Sequence, residues 1–368
     1  MHKVSILTNA IPYYRLPFFN NCIESNYIDT TVYYEKRKLS DFNSSKIKFH
    51  NRMIPVTSFG FKNLIVFQMF PFFRIFYNAD IIVVDGNVRH ILLAMFSTLA
   101  KIFNKKVIIW SVAHSRNNHQ FMGGLRLKWW NFFDFFYLYN NKDKQNLEEL
   151  GFKDKIIVSA NNGLDQSYIE SCKRNWTKQK LHSFKLKNNL LDKKIGITIG
   201  RVIDSRFDFI LESLKLIIDQ VPNFKWVLIG DGSNLLKLQT RCAELELNNH
   251  VLFVGPLYDE NQLAPYFLSS ELFIYSEDIG LSLLHAFGYG LPVITHDNHM
   301  YHGPEFCAFQ NTITGELYEK GNSRDFADKV GYSLKKGYDV STILSIVRDK
   351  YNTAMMYENF MSLIKQMN

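Results

Sequence analysis

The 368-residue sequence has only four cysteines, Cys22, Cys172, Cys242 and Cys307, and no CxxC pair. That excludes a zinc ribbon or a thioredoxin-like site and leaves scattered buried thiols in a reducing compartment as the expectation. Long apolar runs are missing. The longest, Ile91 to Phe96, is far too short to cross a bilayer. The opening residues, Met1 to Asn9, lack the apolar core and small-residue cleavage site of a secretion signal, so a cytoplasmic location is expected. On that footing Asn43-Ser44-Ser45 and Asn175-Trp176-Thr177 read as chance matches to the glycosylation sequon. There is no Asp-x-Asp, no HExxH and no clustered His/Cys set, so no metal site is expected. Without a G-x-S-x-G elbow, a Ser-His-Asp hydrolase of that type is excluded. No DNA or RNA recognition module is present, so nucleic acid ranks last among partners. No repeat of solenoid length and no low-complexity tail occur.

What remains is a chain able to build real cores. Hydrophobic residues make up 46% and charged residues 21%, and a mass of 43.1 kDa points to two domains. The net charge of +8 suits an anionic partner, a nucleotide or a phospholipid surface. Aromatic residues reach 15%, with 31 Phe, and many lie in the first 140 residues beside basic ones.

Strand-like and helix-like stretches alternate. Val4–Leu7, Thr31–Tyr34, Ile81–Val84, Val107–Trp110, Asp134–Tyr139 and Ile156–Val158 read as strands, the β-branched runs as buried parallel ones. Residues 90–103 and 142–150 read as helices, the second stopped by Gly151. From 167 to 194 polar residues dominate, and this stretch is expected to connect a first domain, 1–166, to a second, 195–340. The second repeats strand and helix through Ile195–Ile199, Trp226–Ile229, Val251–Val254, Leu272–Tyr275 and Pro292–Ile294. Such repetition implies parallel sheets with helices on both faces, hence an α/β protein of two Rossmann-like domains facing across a cleft. A helical segment, 341–368, closes the chain, with Ile343, Ile346, Val347, Tyr351, Met355, Phe360 and Ile364 as core candidates.

The second domain holds the chemistry-bearing segments. Gly200-Arg201 ends its first strand and Arg206 follows five residues later. Two guanidinium groups at a strand-to-helix loop suit a diphosphate, although solvated surface arginines would give the same spacing. Gly230-Asp231-Gly232 allows a tight turn after the next strand, a weak signal alone. Glu277 lies in a loop that feeds a helix, with His285 eight positions on. A carboxylate or a neutral imidazole accepts hydrogen bonds from sugar hydroxyls. Glu277 reads equally as an acid complementing the helix dipole, and residue type alone favours a satisfied core role for His285.

Taken together, Gly200-Arg201, Arg206, Gly230-Asp231-Gly232, the VxFxG strand ending at Gly255, the acidic loop and Ala286 to Ile294 resemble the nucleotide-sugar domain of the family 4 glycosyltransferases. These are retaining enzymes of the GT-B fold. The resemblance covers about 195–320 well and the first half more loosely. It implies a donor diphosphate held by Arg201, Arg206 and the main-chain amides of Ile279, Gly280, Leu281 and Ser282, with Gly200, Gly230 and Asp231 beside it. The family's second cation is usually Lys followed by Gly; here it is Arg206-Phe207. The family's two glutamates, separated by seven residues, fall on Glu277, which would contact the donor sugar, and on His285, which would replace the ribose contact. His114, after Val107–Trp110, is similar to the family histidine near the donor sugar, with His119 as its competitor. The opening Pro12-Tyr13-Tyr14-Arg15 looks like that of one branch, making Tyr14 and Arg15 acceptor-side candidates. Asp85 and Asn87 join them in a second loop. The GT-B fold also implies a C-terminal helix crossing back to the first domain.

The expected activity is transfer of a sugar, with retention, from a nucleotide diphosphate sugar to a glycan or lipid-linked acceptor in surface polysaccharide synthesis, with no cofactor and no metal. Two alternatives stay open: a catalytically silent GT-B scaffold or binding subunit, and a GT-B nucleotide-sugar epimerase. The aromatic, basic segments 61–77 and 123–130 suit a membrane interface as well as a core. Peripheral association with an anionic surface at the inner face of the plasma membrane is therefore part of the expectation.

Overall fold

A computed structural model describes residues 1–36, 49–61, 65–113, 120–204 and 206–367. The chain divides into two compact units, one of residues 1–164 with 352–368 and the other of residues 165–351.

In the first unit, β-branched and aromatic runs form a seven-stranded parallel sheet in the order β3-β2-β1-β6-β7-β8-β9. Its strands are β1 (His2–Thr8), β2 (Ile28–Glu35), β3 (Met53–Val56), β6 (Ile81–Asp85), β7 (Lys106–Ser111), β8 (Phe135–Leu138) and β9 (Ile156–Ser159). The aromatic segment after β3 folds first as an antiparallel hairpin, β4 (Ser58–Phe61) and β5 (Ile65–Gln68). It then becomes helix α2 (Phe72–Asn78). Helices α1 (Leu16–Ile23), α3 (Ile91–Ile102), α4 (Gln120–Trp130) and α5 (Asn141–Leu147) complete the crossovers. The helix carrying Lys142 to Leu150 widens into a π-helical turn at Glu148–Phe152, where Gly151 takes a φ of 98°.

Two apolar layers sandwich this sheet. One contains Phe18 and Phe19 of α1 with Val4, Ile6, Ile81 and Tyr137. The other contains Leu93, Phe96 and Trp130 with Val84, Ile109 and Phe136. Helix α14 (Thr353–Gln366) belongs to the first layer. The Tyr137 hydroxyl donates to the Met356 carbonyl, and the Phe360 ring centroid lies 5.4 Å from that of Tyr137.

The second unit begins earlier than expected. Residues 167–194 are not a loose connection but two helices, α6 (Gln166–Arg174) and α7 (Lys178–Lys187). Asp165 and Thr177 cap them by accepting from the backbone N–H groups of Tyr168 and Lys180. The polar composition misled because α7 buries none of its residues. A six-stranded parallel sheet follows in the order β12-β11-β10-β13-β14-β15. Its strands are β10 (Lys194–Ile199), β11 (Phe224–Ile229), β12 (Val251–Gly255), β13 (Leu272–Ile274), β14 (Val293–His296) and β15 (Gly315–Tyr318). Between them run α8 (Asp208–Gln220), α9 (Leu235–Glu244), α10 (Glu260–Leu268) and α11 (Leu281–Gly288), and α12 (Ser323–Lys336) follows. A buried polar chain ties three strands: Trp226 Nε1 donates to Thr198 Oγ1, which donates to the Ile274 carbonyl.

The closing helical segment is two helices. α13 (Val340–Asp349) stays with the second unit, whereas α14 joins the first. Of the core candidates there, Ile343, Val347, Tyr351, Phe360 and Ile364 are buried, while Ile346 and Met355 are only partly so. Cys22, Cys172 and Cys242 are buried, but Cys307 is exposed.

Candidate functional site

In the second unit, backbone packing fixes the loops at the carboxyl ends of β10, β11 and β13. The Gly200 N–H donates to Ile229 O, and the Val202 N–H donates to Asp231 O. This clamps the Gly200-Arg201 loop against Gly230-Asp231-Gly232. A Cβ on Gly230 would sit 1.9 Å from the Gly200 carbonyl oxygen, at a φ of 154°. No other residue fits there. The two glycines of the turn are thus required by close contact between loops. The Asp231 carboxylate accepts from the Gly232 N–H and holds the turn.

Arg201 is exposed at this rim. Arg206 is half-buried; its Nη1 donates to the Tyr275 hydroxyl at 3.4 Å, and its carbonyl accepts from Ser276 Oγ. Glu277 follows directly. Burial pushes its carboxyl above the usual value, Lys320 and Arg206 pull it down, and Asp278 pushes it up, with a net rise. The structure therefore brings Arg206, Glu277 and Lys320 into one electrostatic cluster. Sequence reasoning missed Lys320, although it stands just after β15, at the carboxyl edge where ligands of parallel sheets collect. It lies 3.9 Å from Asp278.

Helix α11 starts immediately behind. Its N-cap is Gly280, which offers no side-chain cap, so the first-turn amides at Leu281 and Ser282 take no side-chain acceptor there. The expectation for Ile279 is corrected. Its N–H donates to His302 Nδ1 at 3.1 Å, and the residue is fully buried, so it has no amide left for a ligand. His302 in turn donates from Nε2 to the His296 carbonyl, and its ring stacks on His296 at 4.2 Å. These two histidines buttress the loop from below. The imidazole of His296 is fully buried and lies 3.5 Å from Asp278. Burial, helped by His302 and Lys320 and opposed by Asp278, lowers its pKa to about 4, so it is neutral at pH 7.

His285 also differs from the sequence expectation. Its Nε2 lies 2.9 and 3.0 Å from the two carboxylate oxygens of Glu260 on α10, and the Tyr289 hydroxyl donates to the same carboxylate. Burial raises the Glu260 pKa, but His285 and Tyr289 outweigh it and the net shift is downward. An ionised carboxylate requires a proton on His285 Nε2, so that nitrogen cannot accept from a ribose hydroxyl. The side chain is 10% exposed. The geometry is that of a satisfied core histidine.

In the first unit, a cavity of about 270 Å³ opens at the carboxyl ends of β1, β6, β7 and β8. Tyr14, Arg15 and Asp85 line it, as do Asn9, Trp110 and Tyr139. Arg15 is 5% exposed, with its guanidinium carbon 5.0 Å from the Trp110 ring centroid and 4.9 Å from that of Tyr139. Asn9 donates to Asp85 and accepts from Gln68 Nε2. Gln68 also reaches Glu35, and His90 lies 3.5 Å from Asp85. Asn87 instead serves the loop, its side chain accepting from the Arg89 N–H. The sequence signal for Asn9, Trp110, Tyr139 and Glu35 was their place at strand ends, whereas Gln68 ends a strand that the sequence reading did not find. His114 and its competitor His119 lie outside the described residues. Among the described residues, no group of three or more His, Cys, Asp or Glu side chains could hold a metal ion.

Residues 180–343 match the family of glycosyl transferases group 1. An uncharacterized glycosyltransferase of Methanocaldococcus jannaschii is 29% identical over 115 residues, which is 30% of this chain and 28% of that protein. The alpha-monoglucosyldiacylglycerol synthase of Streptococcus pneumoniae is 28% identical over 109 residues, 28% of this chain and 24% of that protein. The match thus spans about a quarter of the length of these two relatives. Among solved structures, Anabaena HepE in complex with UDP superposes with a TM-score of 0.72 at 12% identity, covering 99% of this chain and 100% of that one. The two parallel-sheet units are those of the GT-B fold.

Proposed function

We propose that this chain, which carries a group 1 glycosyltransferase domain, is a retaining glycosyltransferase acting on a nucleotide diphosphate sugar. The observation that carries the reading is the cluster of Arg206, Glu277 and Lys320 beside the uncapped first turn of α11, with Arg201 on the clamped loop nearby. Fixed positive charge and oriented N–H groups are what a departing diphosphate needs. Arg201, Arg206 and the amides of Leu281 and Ser282 hold it, and Lys320 joins them. HepE binds UDP, which makes a uridine diphosphate sugar the first donor to try.

Glu277 orients the donor sugar. Burial holds its carboxyl above the usual range, which suits a group shielded from bulk water beside the donor. His114 is assigned to the reacting centre from its sequence position alone. In the reaction the bond from the anomeric carbon to the diphosphate oxygen breaks. A new bond to the acceptor oxygen forms on the same face, and the acceptor proton passes to the leaving phosphate. No side-chain nucleophile is invoked. The first unit's cavity, with Arg15, Tyr14 and Asp85, receives the acceptor. That acceptor is a growing glycan on a lipid carrier, met at the inner face of the plasma membrane. The pneumococcal relative is named for making a glucosylated diacylglycerol, which favours a lipid-borne acceptor.

The silent-scaffold reading is favoured by one observation, the pairing of His285 with Glu260 in place of the second family glutamate. Calorimetry with UDP, GDP and ADP, followed by assays for release of the free nucleotide from the corresponding sugars, separates the two. A donor site stabilises the fold by about 2.7 kcal/mol at 100-fold Kd. Failure of every nucleoside diphosphate to bind would sink the transferase reading; binding without turnover on any acceptor would favour the scaffold.

A further inference from the structure

We propose that the exposed faces of α2 and α3 in the first unit are a docking surface for an anionic lipid bilayer. On α3, Met95, Leu99 and Ile102 fall at i, i+4 and i+7, one stripe of the helix, and are 65%, 50% and 68% exposed. Phe73 and Tyr77, also one turn apart, are 85% and 77% exposed on α2. Their opposite faces, with Ile75 on α2 and Leu93, Phe96 and Ala100 on α3, enter the core. The two helices are neighbours, the rings of Phe76 and Phe103 lying 5.6 Å apart and those of Phe72 and Phe96 4.7 Å apart. A surface helix of a globular unit carries polar residues at such outward positions. Here the outward positions are apolar on two adjoining helices. Contiguous exposed apolar area marks an interaction site, whereas scattered single residues do not.

Charge chooses the occupant. With Lys101 paired to Asp134, and Arg126 part-buried on the Val112 and Ala113 carbonyls toward Asp85, residues 69–106 and 120–132 keep five further basic side chains, Arg74, Arg89, Lys105, Lys106 and Lys128, against Asp80 and Asp85. Asp85 faces the cavity described above. Asp134, just beyond, is paired with Lys101 and Lys155. Helix α4 continues the surface, since Trp129 Nε1 donates to Thr98 Oγ1 of α3. Phe and Tyr beside Lys and Arg match the boundary between headgroups and acyl chains, and the basic excess matches anionic headgroups. A second copy of this chain would bring two rims of like sign together, which opposes self-association through this face. No helix among the described residues is long and apolar enough to span, so the helices lie on the bilayer. The inference deepens the proposed function, on which it rests only for the reason a bilayer is approached at all.

The test is co-sedimentation of the full chain with vesicles of phosphatidylcholine alone or mixed with phosphatidylglycerol. The wild-type chain binds the mixed vesicles at low salt and less as the Debye length shrinks from about 10 Å at 0.1 M to about 3 Å at 1 M. The double variant Phe73→Ser with Ile102→Ser loses binding by about tenfold or more, because two side chains leave the apolar phase. Both positions are exposed, so its melting temperature stays at the wild-type value. Three results overturn the proposal: no wild-type binding to mixed vesicles, equal binding by the double variant, or a wild-type dimer that the variant dissolves without any vesicle binding. UDP calorimetry on the same samples keeps the two readings apart. Vesicle binding with no binding of UDP, nor of GDP or ADP in the same calorimetry, leaves the docking surface standing and removes the transferase, and the reverse result removes only the surface.

Discussion

The two units share a plan, a twisted parallel sheet with helices on both faces, yet they build their sites from different materials. The second unit uses backbone: loops pressed so closely that Gly230 has a carbonyl oxygen where a Cβ would go, and a helix start without a side-chain cap. The first unit uses side chains, an arginine between aromatic rings and an Asp85, Asn9 and Gln68 chain drawn from three separate elements. Their surfaces differ too. Exposed large apolar residues in the second unit, such as Leu236, Tyr258 and Tyr332, sit on different elements, whereas five of those in the first share α2 and α3. A site made of backbone leaves glycines at strand and helix ends in the sequence, and a site made of side chains leaves no such pattern.

The sharpest test of that contrast is Glu277→Gln, which alters chemistry in the second unit while keeping shape. Sugar transfer is expected to fall by orders of magnitude with affinity for free UDP nearly unchanged; steady-state rates and calorimetry together check it. Near wild-type turnover would reduce Glu277 to an acid complementing the helix dipole. Glycine replacements compare the two units directly. Gly230→Ala drives a methyl into backbone that has no rotamer to yield, and about 3 kcal/mol or more of stability is expected to go. Gly86→Ala in the first unit puts its Cβ 2.6–2.9 Å from side-chain atoms of Trp130, Ser111 and Ile109 rather than 1.9 Å from a carbonyl oxygen, so the loss is expected to be smaller. Urea denaturation of both variants ranks them, and the reverse order would break the comparison.

Charge removal is next in size. Arg201→Ala and Arg206→Ala each delete a charge-assisted contact of about 1.5–3 kcal/mol, so UDP affinity drops about tenfold or more. Unchanged affinity in both, with folding intact, would mean that these arginines are solvated surface charges. His285→Ala leaves the Glu260 carboxylate buried with Tyr289, at a cost of about 1–3 kcal/mol. The melting temperature should fall while UDP affinity holds. If affinity falls and stability does not, His285 touches the ribose after all.

The last test is a pH dependence confined to the second unit's buttress. His296 is held neutral in the fold, with its pKa lowered from 6.5 to about 4. Between those values the unfolded chain binds a proton that the folded chain refuses. Stability from this group is therefore full above about pH 6.5 and declines toward pH 4, by at most about 1.4 kcal/mol per pH unit. His302, Lys320 and Asp278 all face this ring, so His296→Asn is the control. The acid-side slope between pH 6.5 and 5 in urea titrations should shrink in that variant; an identical slope assigns the effect elsewhere.

Much of the architecture was legible because buried parallel strands favour apolar, β-branched runs, unbroken in β6 and β7 and shorter in β1, β10 and β11. The diphosphate end of the site was legible because Gly200 and Gly230 follow strand ends and Gly280 opens a helix. What escaped had a physical reason in each case. The partner of His285 is Glu260, twenty-five residues away on another helix, and nothing local to His285 announces it. The Ile279 amide was spent on His302, a contact made by a returning loop. Helices α6 and α7 present polar sequences because much of their surface faces water. The hairpin β4 to β5 and helix α2 were hidden in one aromatic stretch, where periods of 2 and 3.6 cannot be told apart over so few residues.

Helix α14 carries a consequence for synthesis. The first unit opens the chain, but its layer of Phe18, Tyr137 and Val4 is finished by Met356, Phe360 and Ile364, which leave the ribosome only after residues 165–351. During translation the earlier unit therefore waits with an unfilled apolar trough, while the later one, contiguous in sequence, has all its parts first. The order of completion is the reverse of the order of appearance. A purified chain ending at residue 351 should give protease protection across 165–351 while its 1–164 portion is cut faster than in the full chain.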